Sequence, residues 1–141
     1  MANMVIPNEG KLLLAQRALR TATGDNENYV VDLFTNNYTP VDSSTGTSFT
    51  VATFTGYAQV AVASSAFNSA AIASNVAEIA TSAAPTFTCS GGTSQTCYGW
   101  FMRGVTSGKV YAAQRFDVAR VMSTGTTEAL DPFKFSLKTF A

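Results

Sequence analysis

Two cysteines are the residues of this chain whose type and spacing first suggest chemistry. They stand eight positions apart in CSGGTSQTCYGWFMRG, residues 89 to 104, with a Gly/Ser/Thr loop between them and an aromatic run behind. Cysteine serves as a metal ligand, a redox centre, a nucleophile or half of a staple. A structural zinc site takes four ligands, and a chain with two cysteines and no histidine cannot supply them. The CxxC spacing of a dithiol redox centre is absent. A cysteine nucleophile needs a base beside it, most often histidine. No metal and no cofactor is therefore expected. Two readings stay open. PTFT before the loop and YGWFM after it both look like strands, and a hairpin would set Cys89 across from Cys97. A disulfide there would contribute roughly 2–3 kcal/mol by closing the loop. Two reduced thiols side by side, in a protein made in a reducing compartment, is the other reading. Either role is structural.

The remaining candidates are sparse. Nine carboxylates are present: Glu9, Asp25, Glu27, Asp32, Asp42, Glu78, Asp117, Glu128 and Asp131. No two have a spacing that marks an acid/base pair, so no catalytic residue is assigned and an enzyme is not expected. Asp32, inside YVVDLFT, reads as a buried acid or as an edge residue facing water. Arg115 and Asp117 share a strand face and suggest a structural ion pair. Gly24 and Gly91-Gly92 lack the lysine and helix of a phosphate loop. Trp100 or Tyr38 could stack on a sugar, although alternate aromatics of a strand more often enter a core.

The elements that must position these residues follow from composition. Charged residues make up 13% of the 141, about half the usual share, with nine of each sign. That balance lacks the footprint of a nucleic-acid binder and the basic clusters that hold proteins to anionic membranes. Nineteen threonines, many beside Val, Phe or Tyr, suit a pleated surface. The N-terminal stretch shows no positive region before an apolar run, and Leu12 to Leu14 is too short for an export signal or a membrane span. The expectation is a protein made soluble in the cytosol.

Along the chain, residues 1 to 9 look extended around Pro7, and GKLLLAQRALR, 10 to 20, reads as a short helix with Leu12, Leu13, Ala15 and Leu19 on one broad face. Residues 21 to 28 are turn chemistry. Strands are expected at 29–35, 57–62, near 70–74 and 76–81, at PTFTC from 85, at 98–103, at 110–118, and within 128–140, where Phe133, Phe135 and Leu137 alternate with Lys134, Ser136 and Lys138. The long loop 36–48 should be functional or pinned. One domain, 1–141, with residues 1–24 as an arm and helix, is expected to form an all-β sandwich.

The string LFTNNYTPVDSST, then FTGYA, then YGWF, then AAQRFDV, resembles small virion proteins of tailed bacteriophages. The matching positions are Leu33, Phe34, Asn36, Asn37, Pro40, Gly56, Tyr57, Ala58, Tyr98, Gly99, Trp100, Phe101, Arg115 and Phe116, in order over about residues 5 to 140. The resemblance implies a jelly-roll-like antiparallel β-sandwich with a short N-terminal helix and no catalytic residue. It implies a capsid decoration (cement) protein, made in the host cytoplasm and placed on the phage head surface. Its partner would be the major capsid protein, and the chain would be a homo-oligomer, with a trimer suited to local three-fold positions. Nucleic acid and membrane are not expected partners. The contact residues expected are Met4, Val5, Ile6 and Pro7 of the arm, and Asn36, Asn37, Tyr38 and Pro40 of the loop. Deleting residues 1–9 is expected to abolish capsid binding and leave the fold. The alternatives are a tail or fibre adaptor that touches a receptor, and a carbohydrate-binding sandwich module.

Overall fold

The computed structural model describes residues 4–19, 27–69, 71–73 and 76–138. One helix, α1 (Asn8–Leu19), precedes nine strands: β1 (Tyr29–Phe34), β2 (Val60–Val62), β3 (Ala71–Ala73), β4 (Val76–Ala80), β5 (Thr86–Thr88), β6 (Gln95–Gly104), β7 (Val110–Met122), β8 (Thr127–Ala129) and β9 (Lys134–Lys138). All pairings are antiparallel. They make a four-stranded sheet ordered β2-β1-β6-β7, a three-stranded sheet β3-β4-β9 and the pair β5-β8. The fold is thus an all-β sandwich with a short N-terminal helix.

The four-stranded sheet is buried on both faces, which is why β1 reads as an apolar run. Val31, Leu33, Trp100, Met102 and Tyr111 enter one cluster with Phe54, Phe87, Leu130 and Phe133 from the opposing layer. Ring contacts stitch the two layers: Trp100 to Phe133 at 4.5 Å, Tyr29 to Phe67 at 5.7 Å and Tyr57 to Phe87 at 6.0 Å between centroids. On the other face Phe34, Phe101, Val110 and Ala113 pack under Phe49, with Tyr38, Val51 and Tyr98 beside them. The aromatic run Tyr98–Phe101 can point both ways into cores because β6 is central in its sheet. Gly99 is where that sheet closes tightest. A methyl group there would strike the Gln114 carbonyl and the Phe34 ring.

The helix begins at Asn8, two residues before the expected start. The Lys11 amide bonds the Pro7 carbonyl at 2.9 Å, so Pro7 precedes the first turn and costs it nothing. Gly10 lets α1 lie on the sheet itself: a Cβ there would stand 2.7 Å from the Val110 carbonyl oxygen. The expected apolar face is corrected accordingly. Leu13 packs on the core, whereas Leu12 is exposed. The side chains of Ala15 and Leu19 lie outside the described ones. The expected strand at 57–62 shrinks to β2, because Gly56, at φ +86°, turns the chain just ahead of it. Strand β7 runs on to Met122, past the expected end, and the strand region expected within 128–140 divides into β8 and β9. The Ala/Ser-rich stretch does form two short strands, β3 and β4.

Candidate functional site

The expected hairpin between the two cysteines does not exist. Strand β5 pairs with β8, and β6 pairs with β1 and β7. Cys89 sits beside Thr126 and Gly125 through its backbone, while Cys97 faces Arg120 across β6 and β7. Both are free, fully buried thiols in the same core cluster, and the Cys89 thiol donates to the Gly91 carbonyl at 3.4 Å. The sequence pattern failed here because strand-like neighbours do not say which strand they pair with. Burial, helped by the nearby Glu128 charge, pushes the Cys97 thiol up to about 11. A thiol that protonated is a packing group rather than a nucleophile.

The contact residues expected from the sequence are largely committed to the fold. Val5 exchanges two backbone hydrogen bonds with Ala113, at 2.7 and 2.9 Å, and so extends the sheet past β7. Pro7 is fully buried, Met4 packs against the main core, and Ile6 is half-buried. Glu9 accepts from the Val110 amide at 2.6 Å and meets Lys109 at 3.6 Å. Removing residues 1–9 would strip all of this from the edge of β7 and so remove contacts of the fold along with the expected contact arm. The loop 36–48 is pinned from inside. Asn36 donates to the Ser48 carbonyl and accepts from the Thr50 amide, each at 2.9 Å. The Tyr38 hydroxyl meets Ser44 at 2.9 Å, Pro40 is buried, and Asp42 binds α1 through the Asn8 amide and Lys11. Asn37 alone of the eight is fully on the surface.

Two carboxylates that the sequence did not single out as organising centres hold the sheet. Glu27 is buried and accepts from the Thr106 and Ser107 amides at 2.8 and 2.9 Å, from the Ser107 hydroxyl at 2.8 Å and from the Tyr111 hydroxyl at 2.9 Å. It clamps the β6–β7 turn. Burial alone would raise its pKa; the bonds from Ser107, Tyr111 and Thr106 together outweigh that and hold it below the ordinary 4.5. Asp32 is the buried acid of β1. It accepts from the Tyr57 hydroxyl at 2.7 Å and from Arg103 Nε at 3.2 Å. Arg103 reaches on to Gln59 at 3.1 Å, and the Tyr57 hydroxyl accepts from the Leu33 amide at 3.1 Å. Burial, then the bond to Asp32, pushes the Tyr57 hydroxyl above its usual 10.0, so it remains the donor. The position of Asp32 in an apolar run was the only trace of this network in the sequence. Its partners are 25 and 71 residues away.

Of the two rings proposed for sugar stacking, one is buried and the other is half-buried in the second core. Trp100 is 5% exposed and Tyr38 is edge-on to Phe49. Arg115 donates to the Tyr38 carbonyl at 3.2 Å and lies over the Tyr98 ring. Among the described residues no group of three or more Cys, Asp or Glu side chains is placed to hold a metal, and no helix is long and apolar enough to cross a membrane. No family model, curated protein or solved structure matches this chain.

Proposed function

We propose that this chain is a structural component of a tailed-bacteriophage virion, a decoration (cement) protein on the outer face of the head. One observation carries the reading. The charged side chains are largely closed on one another, as in Lys11–Asp42, Arg103–Asp32, Lys109–Glu9, Arg120–Glu128 and Lys134–Glu78. Large aliphatic groups meanwhile stand in solvent, Ile72 at 81% and Val118 at 68% exposed, with Leu12, Val41, Val105 and Val121 also out. A neutral surface of this kind suits packing against a neighbour better than steering a charged ligand. The order of the LFTNNYTP, TGYA, YGWF and QRFDV segments supports the same reading. The partner is the major capsid protein, and the chain acts as a homo-oligomer, a trimer by the symmetry of local three-fold sites. Anything that binds only the assembled lattice stabilises it by mass action, and several linked contacts multiply the effect.

The test is the copy number of this chain relative to the major capsid protein in gradient-purified particles. Symmetric decoration of the lattice requires a ratio between about one third and one. A ratio of a few per cent would reassign the protein to a tail or fibre adaptor. Its absence from particles would end the virion reading.

A further inference from the structure

The N-terminal segment 4–14 lies along the outer edge of β7, and among the described residues three places fasten it. Val5 and Ala113 exchange backbone hydrogen bonds at 2.7 and 2.9 Å. Glu9 accepts from the Val110 amide at 2.6 Å and meets Lys109 at 3.6 Å. The Asn8 amide donates to the Asp42 carbonyl at 2.7 Å, and Lys11 meets the Asp42 carboxylate at 2.9 Å. The Lys11, Asp42 and Lys109 side chains are half exposed or more, so these ion pairs hold weakly. Pro7 is fully buried, but Met4 and Leu13 are only partly buried against the main core, and Leu12 and Leu14 stand exposed.

The sheet beneath closes without this segment. The β7 side chains Tyr111 and Ala112 enter the main core cluster, and Val110 and Ala113 enter the second. Successive residues of a strand send their backbone groups to opposite edges. Ala113 points out to Val5, so its neighbours Ala112 and Gln114 point in to β6, opposite Met102 and Trp100. Lifting the segment away therefore breaks outward bonds and leaves the β6–β7 ladder whole. Gly10 makes the contact close without interlocking it, since glycine presents no side chain to Val110 and Tyr111. We propose that residues 4–14 form a strap that opens as one unit while the sandwich stays folded, baring the outer edge of β7 from Val110 to Ala113. Opening frees Met4, Val5, Ile6 and Pro7, which the closed form commits to the fold. The device stands apart from the virion reading, because it is a property of the isolated chain.

Amide hydrogen exchange of the full chain, followed by NMR, separates the two events at adjacent residues. The strap protects the Val110 and Ala113 amides, whereas β6 protects those of Ala112 and Gln114. The expected result, after correction for intrinsic rates, is that the first two exchange about a hundredfold faster than the second two and share one opening equilibrium. Gly10→Ala would set a Cβ 2.7 Å from the Val110 carbonyl oxygen, so it should speed Val110 and Ala113 together by about tenfold. Tyr57→Phe removes a contact that the closed and open forms both make. It should therefore speed Ala112 and Gln114 by about thirtyfold and leave Val110 and Ala113 unchanged. The proposal is overturned if Ala113 exchanges as slowly as Ala112 and Gln114, because the segment then leaves only with the sheet. It is equally overturned if Val110 and Ala113 report different opening equilibria, or if Tyr57→Phe speeds Ala113 as much as Ala112.

Discussion

The four-stranded sheet and the β3-β4-β9 sheet draw on similar small and β-branched residues, yet they are held by different means. In the large sheet two buried carboxylates organise the polar groups. Glu27 takes up four donors from the β6–β7 turn and β7, and Asp32 ties β1 to Tyr57 and Arg103. Gly10 and Gly99 allow backbone and helix to close on one another. The small sheet is fastened with fewer charged groups: Lys134–Glu78 at 2.7 Å, a weak Ser136–Glu78 bond at 3.4 Å, the Phe67–Phe135 ring contact at 6.0 Å and, where the β4–β9 pairing runs on, a buried bond from the Phe133 amide to the Thr81 hydroxyl at 2.9 Å. Its outer strand leaves Ile72 in water. A buried carboxylate with every acceptor site used resists change at any one point, because removing it strands several donors together. A rim ion pair can be lost with little consequence. The large sheet is the frame of the molecule.

That contrast can be broken in order of size. Gly99→Ala should destabilise the protein by about 3 kcal/mol, by overpacking against the Phe34 ring and the Gln114 carbonyl; a denaturant midpoint near the wild-type value would show that β6 and β7 are looser than they look. Glu27→Ala should cost about 3 kcal/mol by stranding buried donors of the turn and Tyr111. The pH dependence sharpens this. The folded pKa of Glu27 lies below its ordinary 4.5, so its contribution is complete above 4.5 and is lost as pH falls through the folded value. Urea titrations from pH 6 down to about 3 should show wild-type stability falling and a flatter curve for Glu27→Gln. Tyr57→Phe should cost about 2 kcal/mol, since it leaves the Leu33 amide without its side-chain acceptor and Asp32 with Arg103 as its remaining donor. In the small sheet, Lys134→Ala should change stability by about 0.5 kcal/mol or less. If it costs as much as Tyr57→Phe, the two sheets are not distinct in kind. The smallest effect belongs to the thiols. Cys97 in the folded protein at pH 7.5 should resist iodoacetamide until denaturant is added, and mass spectrometry after brief exposure would reveal any early labelling.

Much of the small sheet was legible in the chain. The alternation of β9 and the two short strands of the Ala/Ser stretch follow from periodicity and from Pro and Asn placement, which act locally. The start of α1 was misplaced by two residues, because Pro7 is compatible with the position just before a first turn. The cysteine hairpin was misread for a different reason. PTFT and YGWFM are both strands, but each pairs elsewhere.

By itself the sequence determined the all-β class, the short leading helix and the absence of histidine chemistry, since period, composition and residue type are properties of the chain alone. The tertiary structure decided which strands pair, which carboxylates are buried and satisfied, and that the N-terminal segment belongs to the sheet edge rather than to solvent. Those outcomes depend on contacts between residues tens of positions apart. The energy of such a contact depends on the burial and partners supplied by the rest of the fold, which no local stretch encodes.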